Sequence, residues 1–389
     1  MDPHLPGDDE QTHGFAFPRQ TGKIHGMARP TSATIHTDAL QHNLSAVRAR
    51  APGSRVMAVV KADGYGHGLE RVARALQGAD AFGVAALSDA ERLRAAGLSQ
   101  PIVLLSGFDA ADDLPQLRRL NVETVVHHAS QLAMLEQAGE GDPIRCWLKV
   151  DSGMHRLGFA PGDVRDAYAR LQAMPAVAGN VVLMNHFASS DEFADATGNG
   201  TQTREQMQVF AEATAGLEGE RSLANSAAVL GWPDAHADWV RPGGALYGIS
   251  VVDGTTGADF GLRPAMTLGT RLIAVNHVRK GERIGYSATW MCPEDMPVGV
   301  AAIGYGDGYP RHAPSGTHVL LDGRPAPIVG RISMDLMTLD LRGHRDARPG
   351  DPVVLWGEGL PVESIAAAAG TIGYELVCSI TRRVRFVEA

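Results

Sequence analysis

Residues 57–68 read MAVVKADGYGHG, an apolar run that stops at Lys61 and gives way to a glycine-rich turn. A short apolar run bounded by turn residues is typical of a strand that is buried on both faces. Because Lys61 directly follows the run, its ammonium is expected to emerge where the strand ends. The segment therefore predicts a βα unit with a lysine at the carboxyl end of its strand.

Further apolar runs repeat this pattern from Thr31 to about Arg241, and amphipathic helical segments separate them. One helix start is indicated by Ser88 with Glu91 three residues later, the spacing of a capping box. With 57–60 as the first, the runs are 81–86, 101–105, 122–127, 144–150, 180–185, 222–225 and 237–240. Eight such units predict a (β/α)8 barrel. A doubly wound sheet is the alternative, but the regular repeat over a barrel-sized length favours the barrel.

The sequence becomes β-rich after about Leu262. Residues 319–321, the turn Asp322–Gly323 and residues 326–332 indicate a hairpin, and one Ala-rich helix, Val362–Ala369, is expected to stop at Gly370. We therefore predict an α/β chain with three parts. They are a polar, disordered extension (1–30), the barrel (31–262) and a mainly β C-terminal domain (263–389).

Composition excludes several classes of protein. Of the 389 residues, 44% are hydrophobic and 20% charged, as in a globular protein. The net charge of −9 is spread along the chain without a basic stripe, which argues against nucleic acid as a partner. The three cysteines are far apart and form no CxxC pair, so neither disulfides nor a metal site is predicted, and the thiols are expected to be free and buried.

No apolar run approaches the roughly 18 residues that a membrane span requires. Residues 1–30 also lack the continuous apolar core of a secretory signal. A cytoplasmic protein with no membrane partner is the expectation.

Lys61 is the first candidate for chemistry. Active sites of such barrels lie at the carboxyl ends of the strands. A lysine that is partly desolvated there loses its proton more readily, as formation of a Schiff base requires. By itself, however, a lysine at a strand end is more often a solvated surface residue.

The rest of the chain carries further motifs around the same chemistry. They are KVDSGMHR (149–156), NHFA (185–188), NSA (225–227), RPGGALYG (241–248), IGYSATW (284–290), GYGDGYPR (304–311), GRISMD (330–335) and TIGYE (371–375). In this order, and together with residues 58–68, they resemble the alanine racemase family. The resemblance runs from about Pro30 to the end of the chain.

The resemblance implies a fold-type III pyridoxal 5′-phosphate (PLP) enzyme that interconverts L- and D-alanine. Such an enzyme supplies D-alanine for peptidoglycan or breaks alanine down. It also implies a head-to-tail homodimer with shared active sites, in which Lys61 holds the cofactor and Tyr286 of the other subunit is the second base. Inversion of a stereocentre removes a proton from one face and returns one to the other, so two bases suit the reaction.

The resemblance also assigns the groups around the cofactor. Arg241 would face the pyridine nitrogen and, as a permanent cation, disfavour its protonation, with His186 hydrogen-bonded to this arginine. The phosphate is expected at the loops after strands seven and eight, where barrels commonly bind phosphate. Its expected ligands are Tyr65, Ser226, Gly243, Gly244 and Tyr374, and Gly244 replaces an isoleucine that many relatives carry. Asn225 is a further residue expected to bind the cofactor.

Substrate recognition is implied for Arg156 and for the backbone N–H of Met334 from the partner, with Asp335 in support. Lys149 is expected near Arg156, and two cations this close would repel. In relatives, the lysine at the position of Lys149 is commonly converted to a carbamate, an anion that orients the arginine. Carbamylation of Lys149 is therefore a hypothesis. The access corridor is expected to include Tyr305, Arg311, Arg331 and Ile372, which would admit only small amino acids.

Three other functions share part of this pattern. A racemase of broader range, acting for instance on serine, would use the same groups. A PLP decarboxylase of related fold would carry a carboxylate at the position of Arg241. A non-catalytic PLP carrier is normally only the barrel, so the β domain and Tyr286 argue against it.

Overall fold

Eight parallel strands close into a barrel in the computed structural model, which describes residues 29–139, 141–193 and 200–389. The predicted extension falls largely on residues 1–28, outside the described residues. The barrel strands are β2 (Arg55–Val59), β3 (Ala81–Val84), β4 (Ile102–Leu104), β5 (Val122–Val126), β6 (Cys146–Lys149), β7 (Val182–Met184), β8 (Arg221–Ser222) and β9 (Trp239–Val240). Pairing of β9 with β2 closes the ring, so the predicted (β/α)8 barrel is confirmed and the doubly wound sheet is excluded.

Helices alternate with these strands. They are α1 (Thr37–Arg50), α2 (Lys61–Tyr65), α3 (Leu69–Ala75), α4 (Leu87–Ala95), α5 (Leu114–Leu120), α6 (Ala129–Glu136), α7 (Val164–Ala173), α8 (Thr201–Ala213) and α9 (Ser226–Gly231). The predicted capping box of Ser88 is wrong, because α4 begins at Leu87 and Ser88 lies inside its first turn. The apolar side chains of Ala90 and Leu93 fix this helix on the barrel instead.

The barrel interior is packed with side chains. Trp147 and Trp239 approach with ring centroids 5.5 Å apart, and each indole N–H donates to a carboxylate, Glu123 at 2.6 Å and Glu220 at 2.7 Å. Arg145 contacts both carboxylates and ties the two pairs together. These residues lie at the amino ends of their strands, so this end is sealed and the carboxyl ends are left for a site.

The second sheet contains most of the remaining strands. They are β1 (Ser32–Ile35), β10 (Met266–Val278), β13 (Met296–Ala301), β14 (His318–Leu321), β15 (Arg324–Pro327), β16 (Met337–Asp340), β17 (Pro352–Trp356) and β18 (Arg385–Glu388), with β11 (Arg283–Ile284) and β12 (Trp290–Met291) as a separate pair. The predicted mainly β C-terminal domain is confirmed. Strand β1 pairs antiparallel with β10 and parallel with β18, so the chain contributes to this sheet before it enters the barrel. The predicted barrel (31–262) includes β1, whereas the structure places this strand in the second sheet.

Local signals in this domain are accurate. Asp322 and Gly323 have φ values of 47° and 76°, which fits a two-residue turn between β14 and β15. Helix α10 spans Val362–Ala369 and ends at Gly370, followed by α11 (Gly373–Cys378). Residues 31–389 form one compact unit, so the barrel mouth and the second sheet have a defined relation.

The cysteines are all free in the described part of the chain. Cys146 and Cys292 are buried as predicted, but Cys378 is exposed, which corrects the expectation for this thiol. Cys378 is the last residue of the short helix α11, where it is not part of a core face. The described residues contain no helix long and apolar enough to cross a membrane.

Candidate active site

Helix α2, which we call the lysine turn, is a left-handed turn rather than a right-handed helix. Ala62, Asp63 and Tyr65 have φ values of 54°, 53° and 51°, with Gly64 between them at 63°. A left-handed conformation costs ~1–2 kcal/mol for each residue with a Cβ. Strain of this kind persists where surrounding contacts fix it, and it clusters at functional sites.

Contacts on both sides hold the lysine turn. The N–H of Gly64 donates to the carbonyl of Val60 at 2.9 Å, and the Asp63 carboxylate accepts the N–H of Leu69, the first residue of α3, at 3.1 Å. A Cβ on Gly66 would lie 2.1 Å from the carbonyl oxygen of Val377, so only glycine lets α11 pack this closely. The turn thereby places Lys61 and Tyr65 at the barrel mouth.

Lys61 is an exposed residue overall, but its ammonium lies among other charges. Partial burial lowers the pKa of Lys61, and the Arg156 guanidinium lowers it further, whereas the Cys378 thiol opposes the shift. A larger neutral fraction of the amine makes Lys61 a better nucleophile and base.

Hydroxyl and backbone N–H groups converge beside the lysine turn. The Ser226 hydroxyl oxygen accepts the N–H of Gly243 at 2.8 Å, and the Tyr374 phenol oxygen accepts hydrogen bonds from Ser226 and from the N–H of Gly244. The rings of Tyr65 and Tyr374 are 5.5 Å apart, edge to face. We call these five residues the hydroxyl cradle.

Both glycines of the hydroxyl cradle are required by close approach. A Cβ on Gly243 would lie 2.4 Å from the Tyr65 phenol oxygen, and one on Gly244 would lie 2.2 Å from that of Tyr374. Three hydroxyls and two backbone N–H groups are a donor set that fits the oxygens of a phosphate. The residues present therefore fit the phosphate of PLP.

Arg241 lies deep in the mouth and is only 4% exposed. Its guanidinium donates to the Ser222 hydroxyl at 2.7 Å and to the Asn185 carbonyl at 2.8 Å, and no carboxylate pairs with it in residues 29–139, 141–193 and 200–389. Burial lowers the pKa of Arg241 to about 10, so it remains a cation at neutral pH. Because Arg241 is a buried cation bound only to neutral groups, it would favour the unprotonated form of a ring nitrogen beside it.

His186 lies 3.4 Å from Arg241, measured from Nδ1 to Nη2. Burial first, and then the Arg241 and Lys149 cations, lower the pKa of His186 well below its usual value. The imidazole is therefore neutral and can accept from the guanidinium. Asn185 and Gln206 fix its loop, since the Asn185 amide donates to Ser152 at 3.0 Å and Gln206 donates to the carbonyl of His186 at 3.2 Å.

Lys149, the last residue of β6, is 7% exposed. Burial, followed by the Arg241 and Arg156 cations, lowers its pKa to about 8, although Asp151 opposes the shift. The Asp151 carboxylate accepts three backbone N–H groups, the closest from His155 at 2.9 Å, and so shapes the loop that ends in Arg156. Four cationic side chains thus surround the mouth: Lys61, Lys149, Arg156 and Arg241.

The side chain of Asn225 has a capping role that the sequence analysis did not predict. Its side-chain oxygen caps α9 by accepting the N–H of Ala228 at 3.1 Å, and it also accepts from Ser190 at 2.9 Å. This side chain positions Ser226 at the start of the helix. Direct binding of a cofactor by Asn225 stays a prediction.

Another group of the predicted residues lies on the second domain and is exposed. Tyr286 is 66% exposed, Met334 51% and Ile372 60%. Arg331 donates to the Ser287 hydroxyl beside Tyr286 at 3.0 Å, and Arg311 lines the same cavity as Arg331. These three side chains are therefore accessible at the surface of the chain.

The loops of Tyr305 and Met334 are joined by their backbones. Tyr305 N–H donates to the Ser333 carbonyl at 3.0 Å, and Gly306 N–H donates to the Met334 carbonyl at 2.9 Å. Arg383 forms ion pairs with Asp335 and with the buried Asp307. These contacts fix the loop that carries Met334.

Sequence reasoning missed several residues of this site. Ser222, Gln206, Tyr247 and His67 support predicted residues from behind, and Cys378 lies near Lys61. His67 and Tyr247 lie in quoted motifs and could have been found there. Ser222, Gln206 and Cys378 lie outside these motifs, and only the fold brings them close.

Comparisons with known proteins cover nearly the whole described chain. The family profile "Alanine racemase, N-terminal domain" matches residues 35–251, and "Alanine racemase, C-terminal domain" matches residues 265–388. A protein named alanine racemase from Nitrosococcus oceani is 55% identical over 90% of this chain and 97% of its own length. One from Vibrio cholerae is 51% identical over 92% and 97%.

Solved structures agree with these relatives. The biosynthetic alanine racemase from Pseudomonas aeruginosa has a TM-score of 0.89 and 44% identity, over 93% of this chain and 99% of that one. The alanine racemase from E. faecalis has a TM-score of 0.85 and 32% identity, over 94% and 99%.

Proposed function

The chain belongs to the alanine racemase family and is an enzyme that racemises alanine; from this premise we propose that it uses PLP held by Lys61, with Lys61 and Tyr286 as its two acid–base groups. The observation that carries the proposal is the barrel mouth. There a lysine of lowered pKa lies beside the hydroxyl cradle and a buried arginine. When bound, PLP supplies an electron sink that stabilises negative charge on the substrate Cα.

Different residues would bind different parts of the cofactor. The hydroxyl cradle would hold the phosphate, and Arg241 would lie against the pyridine nitrogen. A permanent cation there disfavours protonation of the nitrogen and so weakens the electron sink. The proton is then returned to Cα, and protonation at another carbon, which would lead to transamination, is suppressed. This position separates the proposal from a decarboxylase with a carboxylate there.

Lys61 and Tyr286 would move protons at Nζ and Oη. Racemisation needs a group on each face of Cα, and each must hold the proton in one direction and release it in the other. Tyr286 is exposed on its own subunit, which supports its donation to the site of a partner in a head-to-tail dimer. The N–H of Met334 would act from the same partner.

Arg156 would recognise the substrate carboxylate, and Lys149 would support it by orienting the guanidinium. The planar guanidinium of Arg156 can donate two hydrogen bonds to a carboxylate. Tyr305, Arg311, Arg331 and Ile372 would line the access corridor and restrict it to small amino acids, with Asp335 supporting Met334. The product would serve peptidoglycan synthesis, or the reverse direction would feed alanine breakdown.

Lys149 is expected to carry a carbamate. The neutral amine nitrogen would attack CO2, form an N–C bond and release one proton, which replaces a cation beside Arg156 by an anion. Since the pKa of Lys149 is lowered to about 8, roughly half of the amine is neutral at pH 8, and the carbamate should fade as pH falls below 7. The measurement is ¹³C NMR with ¹³C-bicarbonate; Lys149→Met should lose the signal and Lys280→Met should keep it. A wild-type protein without carbamate at pH 8 contradicts the hypothesis.

Shared active sites can be tested by mixing two inactive variants. Reassociation of Lys61→Ala with Tyr286→Phe gives hybrid dimers in which one of the two sites has both native groups. The mixture should recover on the order of a quarter of wild-type activity, by the statistics of a two-fold dimer. If Lys61 and Tyr286 act within one subunit, mixing will add nothing to the activities of the separate variants.

The experiment that tests the proposal as a whole is incubation of the PLP-loaded protein with L-alanine. Formation of D-alanine by chiral chromatography, together with a visible absorbance band of lysine-bound cofactor, is the expected result. A protein that forms D-alanine without PLP would refute the cofactor assignment.

A further inference from the structure

We propose that His67, buried behind the lysine turn, is a positioning residue for the reaction, because it fixes Tyr65 in its place at the barrel mouth. The inference rests on the proposed function, since it concerns how this chain holds PLP. His67 itself is fully buried, and it contacts the hydroxyl cradle through the backbone carbonyl of Tyr65.

One ring nitrogen of His67 closes the lysine turn. Nδ1 lies 2.8 Å from the carbonyl oxygen of Tyr65, and a carbonyl can only accept, so Nδ1 carries the proton. Burial lowers the pKa of His67 to about 4, which keeps the ring neutral at physiological pH. The hydrogen bond therefore holds Tyr65 in the left-handed conformation that it would not adopt by itself.

The face of the ring supports the same turn. His67 packs on Tyr247 with centroids 4.8 Å apart, and Tyr247 stacks on Tyr65 at 4.7 Å. The Tyr247 hydroxyl donates to the carbonyl of Val59, at the end of the strand that leads to Lys61. The three rings thus connect the strand before Lys61 to the phenol after it.

The middle of the lysine turn is already held without His67. The Asp63 carboxylate accepts from the first N–H of α3 and pairs with Arg92 at 2.7 Å. Because Asp63 fixes the middle of the turn, loss of His67 should release only its last residue. The expected defect is therefore a displaced Tyr65 phenol, with the barrel still folded.

The test compares His67→Leu, which removes the donor, with His67→Asn, whose amide can donate from nearly the position of Nδ1. Apoenzyme is titrated with PLP, and kcat and KM for L-alanine are measured on the loaded enzyme. His67→Leu should raise the Kd for PLP about tenfold, the cost of one misplaced hydrogen bond, and His67→Asn should restore most of the affinity. His344→Leu is the matched control, because His344 is also buried and bonded to a carbonyl, but in the second sheet.

A double-mutant cycle with Tyr65→Phe identifies the route of the effect. If His67 acts by placing the Tyr65 hydroxyl, Tyr65→Phe/His67→Leu should bind PLP within about twofold of Tyr65→Phe alone. Losses that multiply would overturn the inference, as would equal defects in His67→Leu, His67→Asn and His344→Leu. A wild-type protein that binds no PLP overturns the proposed function as well, so the two failures are distinguishable.

Discussion

Replacement of Lys61 with alanine is expected to lower the rate of alanine racemisation by about 10⁴-fold or more, because one side chain supplies both the covalent attachment and one of the two bases. The rate of D-alanine formation from L-alanine measures the loss. The visible absorbance of lysine-bound PLP should vanish together with the activity.

The small number of lysines makes this prediction sharp. The chain has four, at positions 23, 61, 149 and 280. Borohydride reduction of the loaded protein followed by peptide mapping should label Lys61 alone. Lys280→Ala, in the second domain, is the matched control and should retain the activity. A label on another lysine, or an active Lys61→Ala variant, would rule out the assignment.

Replacement of Tyr286 with phenylalanine is expected to break the symmetry of the reaction. The variant should bind PLP normally, because the hydroxyl cradle and Lys61 remain. Exchange of the Cα hydrogen with D2O should continue for one enantiomer and fall by about 10²–10⁴-fold for the other, the usual contribution of an acid–base group. Proton NMR of L-alanine and of D-alanine in separate samples gives both rates.

The control for Tyr286 is a tyrosine outside the site. Tyr168, on α7, donates its hydroxyl to the carbonyl of Glu218, and Tyr168→Phe should leave both exchange rates unchanged. Equal losses for the two enantiomers in Tyr286→Phe would contradict a role on one face. Such a result would indicate that Tyr286 contributes to binding only.

The barrel could be predicted because its strands are buried on both faces. Such strands read as unbroken apolar runs, and all eight runs contain or overlap an observed strand. Apart from β2, the observed strands are shorter than the runs, because residues at the carboxyl ends, such as Asn185, lie in the loops that follow the strands. Lys61 and Arg241 directly follow predicted runs, so their place at the carboxyl ends of barrel strands could be predicted from the sequence.

Features that depend on contacts distant in sequence could not be predicted. Strand β1 joins the second sheet because β10 and β18 meet it there, which no local pattern records. Ala62 and Asp63 carry a Cβ and rarely adopt the left-handed conformation, so local sequence does not predict the lysine turn. The turn is stabilised by its contacts with α3 and α11. The capping signal at Ser88 is misleading, because the packing of Ala90 and Leu93 on the barrel outweighs local propensity in determining where α4 begins.

The central claim is tested most directly by incubating the PLP-loaded protein with L-alanine and, separately, with D-alanine in D2O. The account predicts that both samples approach an equal mixture of enantiomers and that product carries one deuterium at Cα, while Lys61→Ala leaves both samples unchanged. Release of CO2 or pyruvate without formation of the opposite enantiomer would contradict it.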